Sequence, residues 1–258
     1  MIVLGLDTAT SATAVALRVG DGSCTEARDD PPAGAHPGHA TRLLVMASEL
    51  LAASGVAWSD VERIAVGVGP GTFTGLRVGV ATARGLAQSL SAGLVGVSSL
   101  QALALPALAG GPDLAPPEGV LAVIDARRGE AFAAAYAPPA EEPAELTPPR
   151  PYPPEHLAGL IGGIHGAHAA NEHGGAATTG QWLAVGDGAV RFRAQLEGEF
   201  EVPADGAPLH LLRATSICEL GSRADPGAGP DEILPDYRRR PDAELALETA
   251  AAGRRSDP

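Results

Sequence analysis

The chain has 258 residues, 45% of them hydrophobic, enough to bury a sizeable core in one large domain or two smaller ones. Its formal net charge of −13 opposes direct binding to a polyanion, and all 18 basic residues are arginine. With no lysine, a P-loop lysine, Schiff-base chemistry and a kinase-type phosphate lysine are excluded.

The first apolar run, Ile2 to Leu6, stops at Asp7 and has no basic flank. Nowhere do about eighteen apolar residues run together, so a cytoplasmic protein with no membrane contact is expected. Cys24 and Cys218 have no CxxC spacing and read as reduced, structural residues. Ile2 to Leu6 and Ala12 to Val19 are predicted strands, with Asp7 at the end of the first and a turn at Gly20-Asp21-Gly22. A helix follows from His39 to Ala53 and stops at Gly55, with a core face of Leu43, Leu44, Ala47, Leu50 and Leu51. Val45 and Met46 project on its other side.

The stretch from Gly67 to Leu90 organises the rest. A strand, Ile64 to Val68, runs into a Gly-Pro-Gly turn, and a helix starts near Thr72 or Thr74, where a threonine oxygen can accept from the first-turn amides. At about 100° per residue, Arg77, Arg84 and Gln88 share one stripe and apolar residues surround the rest. Gly75, Gly79, Ala83 and Ala87 form a low row along which another helix can approach closely. One side of this helix can cover the chain's own sheet, leaving the other for a partner.

Leu94 to Val97 is another strand, and the helix after it is expected to kink or end at Pro106. The Pro-rich break from Gly110 to Gly119 marks a domain boundary. Beyond it VLAVIDARRGEAFAAAY, Val120 to Tyr136, repeats the beginning: strand, aspartate, polar turn, strand. Asp125 matches Asp7 at a distance of 118 residues, which suggests a duplicated α/β fold with both aspartate turns at a shared cleft.

The segment from Pro138 to Gln181 reads as a disordered Pro/Gly/His-rich insertion holding at most one short helix. The spacing of its His165, His168 and His173 fits no closed metal site. Trp182 to Val185 resumes a strand and turns at Gly186-Asp187-Gly188. His210 to Ser222 is a predicted helix, and a polar tail closes the chain.

An aspartate at a strand end, a Gly-Pro-Gly-Thr loop at a helix start and a second, symmetry-related aspartate occur in nucleotide-binding folds. Asp7, Thr8, Gly69, Gly71, Thr72 and Asp125 are therefore candidates for a vestigial nucleotide site. The alternative, that both aspartates merely end strands and cap turns, stays open. No Ser-His-Asp, Cys-His or HExxH constellation is present, so no catalytic or metal-ligating residue is assigned.

The strings LGLDTATSATAVAL, VGVGPGTFTGLRVGVATARGLA, LVGVSSLQALA and AVIDARRGEAFAAAY, with Pro235-Asp236-Tyr237-Arg238-Arg239, together resemble the bacterial TsaB (YeaZ) family. The resemblance implies two tandem RNase H-like halves of the actin/Hsp70/sugar-kinase superfold: residues 1–109, then 110–240 with the insertion near 138–181, and a tail at 241–258. It implies a noncatalytic subunit of the machinery that makes threonylcarbamoyladenosine at position 37 of tRNA. In the catalytic paralogue, TsaD, two histidines four apart hold the active-site metal, and Ser99 and Leu103 stand at those positions here.

The same resemblance implies pairing with TsaD through the first-half helices, by way of Leu43, Val45, Met46, Leu50, Thr74, Gly75, Val78, Gly79, Thr82, Ala83 and Leu86. Further implied partners are a TsaE-type ATPase, a second copy when the chain is alone, and tRNA only through the complex. No cofactor is expected, beyond weak ATP or ADP with magnesium in the complex. The competing reading is a stand-alone ATPase of that superfold or a metallopeptidase-like enzyme. The arginine run Arg238 to Arg240 is heavier than the motif requires and reads as a solvated cluster or a local anchor for RNA or an acidic partner surface.

Overall fold

A computed structural model describes residues 1–20, 22–32, 34–110, 116–164, 181–226 and 229–238. The expectations for His165, His168, His173, Arg239, Arg240 and the tail 241–258 lie outside the described residues.

The first half is a five-stranded sheet. β1 (Val3–Asp7) pairs antiparallel with β2 (Thr13–Val19), which pairs antiparallel with β3 (Ser23–Asp29). On the other side β4 (Arg63–Gly69) and β5 (Gly93–Ser98) run parallel to β1, giving the order β3-β2-β1-β4-β5 of an RNase H-like half. Sequence patterning missed β3, whose SCTEARD has few apolar side chains because it forms the sheet's edge.

Alternation along β1 divides the two faces. Leu4 and Leu6 enter the core under α1 (His39–Ala53) and α2 (Phe73–Leu90), while Val3 enters the core on the opposite face. Thr72 is the residue before α2, as expected, but its side chain makes no capping hydrogen bond.

The second half repeats the plan. β6 (Gly119–Arg127) pairs antiparallel with β7 (Glu130–Ala137) and parallel with β9 (Trp182–Val185). β8 (Ala144–Tyr152) completes the order β8-β7-β6-β9, matching β3-β2-β1-β4 in order and sense. β8 corrects the expectation of disorder across 138–181. Its prolines are tolerated because it lies at the sheet edge, where only β7 needs its backbone, and Thr147 Oγ1 accepts from the Ala135 amide at 2.9 Å.

Two helices lie between the sheets. α3 (Ser99–Ala109) runs through Pro106 rather than ending there, and it packs on β6 and β7 as well as on β4 and β5. Pro106 sits one turn from the helix end, where a single amide is forfeited. On the far side of the second sheet, α4 (Asp187–Arg191) and α5 (Arg193–Leu196) pack with Leu157 and Ile164, so a short helix stands where a turn was expected at Gly186-Asp187-Gly188.

The last helix, α6 (Ala214–Arg223), begins four residues later than the sequence pattern indicates and returns to cover β1, β2 and β4 of the first sheet. First-half residues hold both of its ends. The Glu26 carboxylate accepts from the amide of Ala214 at 2.6 Å and from Thr215 at 3.4 Å, and it pairs with Arg213. At the other end Arg63 donates to the carbonyls of Gly221, Ser222 and Ala224 at 2.9, 3.1 and 2.7 Å. An anion at the amino end and a cation at the carboxyl end satisfy the unpaired terminal groups and oppose the helix dipole.

Candidate functional site

The two aspartate turns are built alike. Asp7 Oδ1 accepts from the Ala9 amide at 2.9 Å, and Asp125 Oδ1 accepts from the Arg127 amide at 2.8 Å, two residues on in each case. This turn bends the chain from the strand end into the hairpin. The surroundings of the two carboxylates then diverge.

Asp7 is sealed. It is 2% exposed, its Oδ2 takes the Ser99 hydroxyl at 3.4 Å, and a Cβ on Gly67 would lie 1.9 Å from that oxygen. Burial pushes its pKa up from 3.8 to about 7, against the smaller opposing pulls of the Ala9 amide, Arg28 and Ser99.

The Gly-Pro-Gly-Thr loop is filled by the chain itself. The Thr72 amide donates to the Ala9 carbonyl at 2.7 Å, and a Cβ on Gly71 would lie 2.4 Å from the same oxygen. Gly69 has φ +116°, which only glycine adopts freely. Thr8 donates its hydroxyl proton to the Gly75 carbonyl at 2.7 Å. The Thr72 amide, one of those that would cradle a phosphate, thus faces the β1–β2 turn.

Asp125 is tied up differently, its Oδ2 accepting from Arg191 at 2.7 Å and from Arg127 at 3.4 Å. Burial raises the pKa of its neighbour Asp187, which accepts from the Asp125 amide at 3.0 Å. Asp7, Thr8, Gly71, Thr72 and Asp125 therefore do not fit a magnesium nucleotide in this conformation: the carboxylate oxygens are already partnered and the Thr72 amide is spent on Ala9.

Ser99 and Leu103 are 0% and 1% exposed on α3. Ser99 is spent on Asp7, and Leu103 packs against Gly186, whose added Cβ would lie 2.7 Å from a leucine methyl. Among the described residues no three His, Cys, Asp or Glu side chains are grouped to hold a metal ion.

The helix faces of the first half correct several expectations. Gly75, Gly79, Ala83 and Ala87 are buried and turned toward the chain's own sheet; a Cβ on Gly75 would lie 1.9 Å from the Thr8 carbonyl, and one on Gly79 2.4 Å from the Thr8 hydroxyl. The low row admits the β1–β2 turn rather than a foreign helix. Leu43, expected on the core face as well as among the partner contacts, and Met46, expected on the outer side, are core residues at 1% and 3% exposure, whereas Leu44, expected in the core, is 47% exposed. Of the candidate partner contacts, Val45 and Thr74 are exposed, and Leu50, Val78, Thr82 and Leu86 are half-buried.

One flank of α2 carries a feature the sequence did not reveal. Arg77 stacks on Phe73 at 3.8 Å and donates to the Tyr237 hydroxyl at 2.9 Å, and the two rings lie 4.9 Å apart. The Asp236 amide donates to the Val68 carbonyl at 2.7 Å, and Arg84 pairs with Asp231. The segment 231–238 is thereby strapped along α2. The Pro-Asp-Tyr-Arg motif was the available signal, but its target lies 160 residues away.

Residues 31–197 match the family model described as TsaD: tRNA N6-adenosine threonylcarbamoyltransferase. The tRNA threonylcarbamoyladenosine biosynthesis protein TsaB of Escherichia coli is 38% identical over 136 residues, 53% of this chain and 55% of that protein. Its namesake in Haemophilus influenzae is 39% identical over 132 residues, 51% of this chain and 52% of that protein. The chain thus spans about half the length of the curated relatives it matches. Among solved structures, a Pseudomonas aeruginosa protein described as similar to peptidase YEAZ superposes with a TM-score of 0.73 at 30% identity, covering 92% of this chain and 99% of that one. The structure named YeaZ from the same organism gives 0.72 at 28% identity, with the same coverage. With the duplicated aspartate turns, the strapped second helix and this near-complete structural match, the chain belongs to the TsaB/YeaZ family.

Proposed function

We propose that this chain is a noncatalytic scaffold subunit of the tRNA N6-threonylcarbamoyladenosine(37) transferase complex, working in the cytoplasm and required by a TsaD-type catalytic paralogue. The observation that carries this reading is the state of Ser99 and Leu103. At positions where the resemblance places metal ligands in the paralogue, one side chain is committed to Asp7 and the other is hydrocarbon packed in the core. The sealed Asp7 and the filled Gly-Pro-Gly loop support a subunit that handles ATP or ADP with magnesium only in the complex.

The partner face in this reading is the outer side of α1 and α2, with Val45, Leu50, Thr74, Val78, Thr82 and Leu86 as contacts. It serves a second copy when the chain is alone. A TsaE-type ATPase joins once the paralogue is bound, and tRNA is reached through the complex. The test is complementation of a TsaB-depleted cell with measurement of the modified adenosine. Restored modification together with a one-to-one complex with the paralogue is expected. Transfer by the purified chain unaided, or tight ATP-magnesium binding by it in calorimetry, overturns the reading.

A further inference from the structure

The two cysteines, unremarkable in the sequence, are brought together by the return of α6 to the first sheet. Cys24 lies on the edge strand β3 in register with Arg18 of β2. Arg18 pairs at 3.7 Å with Glu219, the residue after Cys218. Directly paired residues of antiparallel strands project from the same face, so Cys24 and Arg18 both face α6. Cys24 packs against the core cluster that contains Cys218, and β3 lies in contact with α6.

Access to the two sulfurs differs. Cys24 is half-buried, whereas Cys218 is 0% exposed and lies 3.4 Å from the Ala16 carbonyl and 3.6 Å from that of Val3. A Cβ on Gly5 would come within 2.6 Å of the Cys218 sulfur, so only glycine on β1 leaves it room.

We propose that Cys24 and Cys218 are a redox modification site at which a hydroperoxide forms a reversible intrachain disulfide, Cys24 being oxidised first and Cys218 resolving it. The neighbouring Cys218 thiol lowers the Cys24 pKa, against burial and the nearby Glu26 and Glu219 carboxylates, which raise it, and with help from Arg18. The neighbouring Cys24 sulfur and burial hold Cys218 protonated, its thiol donating to the Ala16 carbonyl. The thiolate-prone sulfur is thus the one solvent reaches.

In the first step the Cys24 thiolate attacks the peroxide, the O–O bond breaks, the alcohol or water leaves with a proton, and Cys24 carries a sulfenic acid. In the second, Cys218 loses its proton as its sulfur attacks the Cys24 sulfur, and the sulfenic oxygen leaves as water. Two thiols and one hydroperoxide give one disulfide, one water and one alcohol, or a second water when the oxidant is hydrogen peroxide. Reduction by a dithiol reverses it, as for other transient disulfides in reducing compartments. The bond joins residues 194 apart in sequence and pins the returning helix to the sheet edge.

The test is hydrogen peroxide titration of the intact chain, read by mass and by peptide mapping without reductant. The expected result is a 2 Da loss, on the order of one disulfide per chain, a linked peptide containing Cys24 and Cys218, and reversal by dithiothreitol. The oxidised chain should melt higher by roughly 10 °C. Cys218→Ser should leave a Cys24 sulfenic acid that dimedone traps, and Cys24→Ser should leave Cys218 a free thiol at the same dose. Wild-type protein that gives dimedone-labelled Cys24 with Cys218 still reduced, or an interchain Cys24 dimer, overturns the proposal. Because the wild-type mapping decides the matter, a variant that fails to fold does not.

Discussion

A carboxyl group enclosed as Asp7 is makes stability depend on pH in the direction opposite to a salt-bridged aspartate. In the folded chain it titrates at about 7, in the unfolded chain near its ordinary 3.8. Between those values the folded state holds a proton that the unfolded state has lost, so stability falls as pH rises from about 4 to about 7. Asn at this position keeps the Ala9 hydrogen bond without the charge. Asp7→Asn should therefore gain on wild type across that window, by up to roughly 4 kcal/mol at pH 8, in urea unfolding at a series of pH values. The glycines beside it make a second residue-scale prediction. Gly79→Val places atoms on the Thr8 hydroxyl and should lower stability by about 1–3 kcal/mol in the same measurement, with Gly75→Ala at least as costly because its neighbour is backbone.

At the scale of elements, α6 shows how a helix late in the chain is held by residues early in it. Glu26 is 7% exposed at its side chain and meets two first-turn amides and Arg213, so Glu26→Ala leaves those donors without their acceptor. A loss of about 2–4 kcal/mol is expected, by thermal or urea unfolding. Arg63→Met strips three carbonyls of their donor at the other end and should cost about 1–2 kcal/mol, less because that end is partly solvated. The charges were plain in the sequence. Their pairing across more than 150 residues was not, because periodicity reports which face a helix buries and not which strand it lies on.

For the whole molecule, α1 and α2 divide into an inner face that folds the chain and an outer face that the proposed reading gives to association. Thr74→Arg and Val45→Glu alter exposed positions and should change stability by less than about 0.5 kcal/mol. On the proposed reading they should weaken capture of the TsaD-type partner at least tenfold in a pull-down titration, whereas Gly79→Val should lower stability and leave the outer face unchanged. Equal partner affinity in the two surface variants would move the docking face elsewhere. Of the candidate site the helices and their motif were legible, but Met46, Gly75, Gly79 and Ala83, read as partner contacts, face the chain's own core. A ridge of small residues has the same pattern whether a foreign helix or the chain's own turn fills it.

The sequence by itself determined the strand-aspartate-turn-strand unit, its duplication, the helix after the Gly-Pro-Gly turn and the family. The elements rest on contacts between residues near in sequence or on the period of apolar side chains, and the family on the motif strings that resemble it. Only the tertiary structure decided that the phosphate-type loop is filled by Ala9, that Asp7 is sealed by Gly67 and Ser99, and that α6 crosses back to bring Cys218 against Cys24. Burial and long-range pairing depend on how the two halves close on one another, and no local pattern of residues encodes that distance.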